Sequence, residues 1–224
     1  MFPIRDVIPS RTTPGVTLAL IAINVIVYAL TAGLEGGAFN TFLMTFGLVP
    51  AKFSIVTVVT AMFVHAGPVH LAGNALFLWI FGDNVEDRLG HGRYLGFYLA
   101  CGTTAALAQT ALNPLSAVPM VGASGAIAGV MGAYLILYPR SRILMLFPFP
   151  PILFELPAVL FLGIWFAVQF LSGLAALPLF GPSNLSGGVA FWAHIMGFVT
   201  GAVLVRILRR PERMTVDWWD GRAS

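Results

Sequence analysis

Along the chain, long apolar runs alternate with short polar breaks. A membrane helix needs about 20 apolar residues to cross a hydrocarbon core of about 30 Å. Runs of that character occupy roughly residues 15–33, 68–82, 94–112, 120–138, 153–173 and 189–208, the second and fourth being short for a crossing. A further apolar stretch, Phe53 to Val64, ends at the breaker Gly67-Pro68. At about a dozen residues it is too short to cross, so it reads as interfacial or folded back into the protein. No internal repeat, low-complexity tract or long linker divides the chain. The pattern predicts an all-α membrane protein, a bundle of six transmembrane helices over residues 1–210. Residues 211–224, with Trp218-Trp219 among charges, read as a short cytoplasmic tail.

Composition agrees with this reading. Of 224 residues, 58% are hydrophobic and 9% charged, and the mean hydropathy is +0.88. A soluble domain carries about a quarter charged residues, so this chain cannot cover itself with a water-facing surface. The first apolar run follows Arg5, Arg11 and Pro14 and precedes no small-residue cleavage site, so it reads as an anchor that stays. Cys101 is the sole cysteine, which excludes an intrachain disulfide, and it reads as a small packing residue.

Charge placement then orients the bundle. With six spans, Arg5, Arg11, Arg88, Arg93, Arg140, Arg142, Arg206, Arg209, Arg210, Arg213 and Arg222 fall on one side, and only Lys52 on the other. Counting 53–64 as a seventh span would set Arg5 and Arg11 against the rest. The positive-inside rule therefore favours six spans, both termini cytoplasmic, and an external 34–67 loop, as in a multi-pass plasma-membrane protein. No basic face with interleaved aromatics exists, which argues against nucleic acid as a partner. The sequence carries no mark of oligomeric state.

Polar side chains in hydrocarbon are costly and point to function. Those at depth are His70, Asn74, Ser124 and His194; Glu35, Asp83, Glu86, Asp87 and Glu155 all lie towards span ends or loops. At about 1.5 Å per residue, counting from the flanking charges places Ser124, His194 and His70 in one layer below the external surface. His70 and Asn74, four apart, share a helix face. Ser124 sits in Gly122-Ala123-Ser124-Gly125, where a loop can turn into a helix whose N-terminal N–H groups suit a developing oxyanion. Gly125, Gly129 and Gly132 on the fourth span, with Gly197 and Gly201 on the sixth, allow close helix approach. That approach would bring Ser124 Oγ to His194.

Each residue alone has a plainer reading. A lone buried serine bonds a carbonyl, a lone histidine packs or lines a pore, and glycines serve ordinary packing or dimerisation. Three polar groups at one height favour a nucleophile and its base. No acid lies at that depth, so a Ser-His-Asp triad is not expected, and packing or water would orient His194. A metal site at His65 and His70 is disfavoured by the intervening Gly67-Pro68 and by the lack of a His-Glu-x-x-His helix. A transporter reading lacks inverted repeats and charged midplane residues. His91 reads as a solvated turn residue, Glu155 as an interfacial partner of Arg140 or Arg142, and Trp79 and Trp165 as lipid-facing or packing aromatics.

Together these residues resemble the rhomboid family of intramembrane serine proteases. The resemblance rests on His65-x4-His70-x3-Asn74, Gly122-Ala123-Ser124-Gly125, Ala193-His194-x2-Gly197-x3-Gly201 and Glu86-Asp87-Arg88, in that family's arrangement. It implies a rhomboid-like six-helix bundle with Ser124 and His194 as catalytic dyad. Ser124 N–H, His70 and Asn74 would form the oxyanion hole, with His65 supporting and Glu86 and Arg88 holding the cytoplasmic end. Substrates would be transmembrane protein segments, cut in the lipid bilayer without metal or cofactor. Two positions depart from the family pattern: the external loop has no Trp-Arg pair, and Ala128 stands where many members place an aromatic against the histidine. Some rhomboid relatives bind membrane clients without cutting, but they typically lack the serine or histidine present here. The fifth span and the Gly- and Pro-rich 174–188 loop are expected to gate access to Ser124.

Overall fold

The computed structural model describes residues 2–176 and 190–211. Helix α1 spans Gly15–Thr31, α2 Gly36–Phe46, α3 Ile55–Thr60, α4 Pro68–Leu89, α5 His91–Leu112, α6 Ser124–Leu137, α7 Ala158–Ala175 and α8 Phe191–Leu208. Strands β1 (Phe2–Asp6), β2 (Arg142–Pro148) and β3 (Pro151–Pro157) form one small sheet.

The core is organised around α6. Every residue from Ala126 to Tyr134 is buried, as expected of a helix apolar on all sides and surrounded by other helices. Its most extensive contact is with α8, followed by α5 and α4. Glycines make the first of these a backbone-to-backbone contact. A Cβ on Gly201 would fall 1.9 Å from the Gly129 carbonyl oxygen, and one on Gly197 would fall 2.0 Å from that of Gly125. A Cβ on Gly132 would come 2.1 Å from the Phe198 carbonyl oxygen. Cys101 packs beside Gly129 and is buried.

Among the described residues, α5, α7 and α8 are long and apolar enough to cross a membrane. The segment Ile55–Phe63 and α4 pass the same test only as a pair, and the pair is bent by 89°. That bend sets the short apolar stretch at nearly a right angle to α4. Helices α1 and α6 are apolar but shorter, about 26 Å and about 21 Å by helix rise against a core of about 30 Å. The architecture is therefore a mostly helical membrane protein with three to four spans by length and composition.

The all-α expectation needs one correction. Strand β2 pairs antiparallel with β3 from Arg142↔Pro157 to Pro148↔Pro151, and β1 pairs antiparallel with β2 from Phe2↔Leu146 to Asp6↔Ile143. Residues 153–157, expected to open the fifth span, belong to β3, and α7 starts only at Ala158. Pro148, Pro150, Pro151 and Pro157 lack the N–H that a helix interior needs, so the chain turns and pairs instead. Along β2, Ile143 and Met145 are buried between less buried neighbours. Uniform apolarity had concealed this two-residue alternation. The 34–67 segment, expected as an external loop, holds α2 and α3.

The arginine-rich end is tied to α1 by the acids of α4. Glu86 accepts backbone N–H bonds from Val16 and Thr17 at 2.9 and 2.8 Å and the Thr17 hydroxyl at 2.7 Å. These satisfy donors that the start of any helix leaves free. Asp87 accepts the N–H groups of Arg11 and Thr12, and Asp83 accepts the Ser10 hydroxyl. His91 is not merely a solvated turn residue: it opens α5, and its Nδ1 lies 2.5 Å from Glu86. On the sheet, Arg142 donates to Glu155 at 3.1 Å. Asp6 on β1 accepts bonds from Tyr134 at 2.6 Å and Asn84 at 2.8 Å. Burial pushes its carboxyl up to about 7; the Tyr134 bond opposes that rise and nearby Asp83 adds to it.

Candidate active site

Ser124 is the first residue of α6. The turn before it depends on Gly122, whose φ of 116° is one that L side chains rarely adopt. Gly122 N–H donates to the Ala61 carbonyl at 2.8 Å, and the approach is pinned by a two-way backbone pairing of Leu48 with Met120. A Cβ on Gly122 would also stand 2.7 Å from His70 Cε1 and Nε2. Glycine is thus needed here both for its backbone angle and for the room it leaves to His70.

His194 lies in the first turn of α8. Its Nε2 is 2.8 Å from Ser124 Oγ. The contact follows from the glycine seam, since Gly125 and Gly197 stand one and three residues from the two side chains. The other ring nitrogen, Nδ1, lies 2.8 Å from Oε1 of Gln169 on α7. The Trp165 ring, on the same face of α7, stands 6.0 Å from the imidazole at 38° and continues onto Phe198. Ala128 is fully buried, and the side chains that stand against His194 are Trp165 and Gln169 of α7. Sequence reasoning missed Gln169, although it counted the amide of Asn74 among the polar groups in apolar runs. The readable signal was an amide inside an otherwise apolar run, four residues after a tryptophan.

His70 and Asn74 occupy the first turns of α4. His70 Nδ1 accepts a long 3.4 Å bond from the Ala66 N–H, which leaves Nε2 as the protonated nitrogen of a neutral ring. Asn74 donates one N–H to the His70 carbonyl at 2.8 Å. His70, Asn74, Ser124, Trp165, Gln169 and His194 together line a cavity of about 240 Å³. A second cavity of about 760 Å³ also includes Ser124, His70 and His194 and extends towards Asn40 and Leu43 of α2. The structure brings these four site residues around common space. His65 does not line either cavity but is buried against His70, the two rings 5.2 Å apart. Gly201 lies two turns beyond His194 and serves the α6–α8 seam. Of the expected gate loop, residues 177–188 lie outside the described residues, as do residues 212–224 of the tail.

Comparison with known proteins gives a consistent result. Residues 52–211 match the model of the Rhomboid domain. The chain is 37% identical over 134 residues to Rhomboid protease GluP of Bacillus subtilis, covering 58% of this chain and 26% of that protein. It is 32% identical over 201 residues to Rhomboid protein 1, mitochondrial, of Saccharomyces cerevisiae, covering 86% of this chain and 53% of the relative. With Rhomboid-like protein 11, chloroplastic, of Arabidopsis thaliana, identity is 34% over 166 residues, covering 71% and 54%. The chain thus spans only 26% to 54% of the length of these relatives.

Proposed function

Because this chain belongs to the rhomboid family, we propose that it is an intramembrane serine endopeptidase that cleaves transmembrane segments of other membrane proteins. The observation that carries the proposal is the 2.8 Å contact between Ser124 Oγ and His194 Nε2 at the start of α6. In this mechanism Ser124 Oγ attacks the scissile carbonyl while His194 Nε2 takes its proton. The tetrahedral oxyanion is met by the Ser124 N–H and by donors from His70 and Asn74. His194 then returns the proton to the leaving amine as the C–N bond breaks. Water, deprotonated by the same imidazole, hydrolyses the acyl-serine ester and restores the hydroxyl. No charged group has to be held in hydrocarbon between turnovers, which suits a site at this depth.

The reading counts α1, α4, α5, α6, α7 and α8 as six spans, with Ile55–Phe63 folded back. It places both termini on the arginine-rich, cytoplasmic side. Short α6 then serves the chemistry, since a helix that begins below the surface carries Ser124 at depth. Relatives named mitochondrial and chloroplastic give no preference to the plasma membrane expected from the sequence. Fractionation of tagged protein separates those locations.

The decisive test is Ser124→Ala. Wild-type protein in proteoliposomes is expected to cleave a model transmembrane substrate and to react with a fluorophosphonate probe at Ser124. The variant should do neither while keeping its thermal unfolding midpoint. Cleavage by Ser124→Ala at the wild-type rate would remove the nucleophile and with it the proposal.

A further inference from the structure

A histidine acts as base towards a serine only in one of its neutral tautomers. Neutral imidazole has one N–H and one lone pair, and the lone pair must be on Nε2 if His194 is to take the Ser124 proton. In serine hydrolases that carry an acid, a buried carboxylate on Nδ1–H makes that selection. Here the described acids lie elsewhere: Asp83 and Asp87 bond the segment before α1, Glu86 bonds the first turn of α1, Asp6 bonds Tyr134 and Asn84, Glu155 bonds Arg142, and Glu35 precedes α2. The partner of Nδ1 is Gln169, through Oε1 at 2.8 Å. A carbonyl oxygen can only accept, so this contact requires the proton on Nδ1 and turns the Nε2 lone pair to Ser124 Oγ at 2.8 Å. Trp165, one turn earlier on α7, lies against the ring and limits its rotation.

Resting on the assignment of Ser124 and His194 as nucleophile and base, we propose that Gln169 is the positioning residue of this site, fixing the tautomer and rotamer of His194 from α7. An amide achieves what a carboxylate would without burying a charge in hydrocarbon. The placement has a consequence. Ser124 and His194 ride on α6 and α8, which meet backbone to backbone. Gln169 rides on α7, whose buried residues are Ala158, Leu162 and Gly173 and whose Val159, Leu160, Ile164, Val168 and Leu171 face outward. The base is therefore poised only while the most loosely held of the three helices is seated. Any movement of α7 that admits a substrate helix must reverse before the proton is transferred.

The test uses the full-length protein with 15N-labelled histidine, as wild type, Gln169→Ala and Gln169→Glu. His194 is assigned by comparison with His194→Asn. In wild type, 15N shifts should place the His194 proton on Nδ1; in Gln169→Ala both tautomers should be populated. In the same samples kcat of Gln169→Ala should fall by about 10- to 100-fold, by analogy with loss of the hydrogen-bond partner that orients a metal-ligating histidine, with KM essentially unchanged. Gln169→Glu should recover most of that loss. A carboxylate facing Nδ1–H favours the imidazolium form, so the acid limb of its kcat profile should move about one unit to higher pH. A merely structural role for Gln169 would leave that limb in place. An unchanged Nδ1 tautomer in Gln169→Ala, or an unmoved acid limb in Gln169→Glu, overturns the proposal. If wild type cleaves nothing yet the tautomer responds to Gln169→Ala, the protease reading fails and the positioning role stands.

Discussion

At the scale of single residues, the proposed chemistry rests on one turn and two hydrogen bonds. Gly122 opens the turn that leaves Ser124 at a helix start, and His70 occupies the space that a side chain on Gly122 would fill. The two oxyanion candidates differ in readiness. His70 has its Nε2 proton free of the Ala66 bond, whereas Asn74 already spends one N–H on the His70 carbonyl and keeps the second. Loss of one oxyanion donor costs about 10²- to 10³-fold in rate. His70→Ala and Asn74→Ala are each expected to lower kcat within that range and to leave KM nearly unchanged, because the donors act on the oxyanion rather than on bound substrate. Backbone donors would remain, so both variants should retain more activity than Ser124→Ala. Steady-state kinetics on a model transmembrane substrate checks this, and an unchanged kcat in both variants would sink the oxyanion role. Ser124, His194, His70 and Asn74 were all legible in the sequence, because polar groups in apolar runs are few and their heights follow from helix rise. Gln169 was equally exposed to reading. Its partner was not, because α7 and α8 belong together only in three dimensions.

At the scale of elements, the N-terminal segment and the sheet depart furthest from the sequence reading. Apolar content cannot separate a short strand from the start of a helix, so β3, apolar except for Glu155, was absorbed into the fifth span. Prolines at 148, 150, 151 and 157 were the discriminating signal. Strand β1 could not be foreseen, since its partner β2 lies about 140 residues away in the chain. Asp6 fastens that strand to α4 and α6 through Asn84 and Tyr134, and its carboxyl is raised to about 7. A carboxyl raised above its unfolded value stabilises the fold fully only below the unfolded value. That contribution is lost as pH rises from about 4 through about 7. The thermal midpoint of the wild type should therefore fall between pH 5 and pH 8, while Asp6→Asn, which has no proton to lose there, should show a flatter profile. Differential scanning fluorimetry of both proteins across that range is the measurement. Parallel profiles would show that the strand is anchored by other contacts.

For the whole molecule, the proposed orientation rests on charge. Eleven arginines face Lys52 alone across the six-span arrangement, and the rule behind that count acts during insertion. In a Cys101→Ala background, single cysteines near each terminus should be shielded from impermeant maleimide in intact cells, and one at position 52 should react. A reactive terminus would refute the six-span arrangement. By itself the sequence determined that the chain lives in a bilayer, because 9% charged residues cannot clothe a soluble surface. It also marked which polar side chains lie in apolar runs, and that glycines would bring the helices bearing Ser124 and His194 together. Those are consequences of composition and helical pitch, which need no partner. The tertiary structure alone decided what faces the second nitrogen of His194, where the fifth span begins, and that the N-terminal strand closes a sheet with a distant hairpin. Each of these depends on which surfaces meet, and a hydrogen bond between elements far apart in the chain leaves no period in the sequence to mark it.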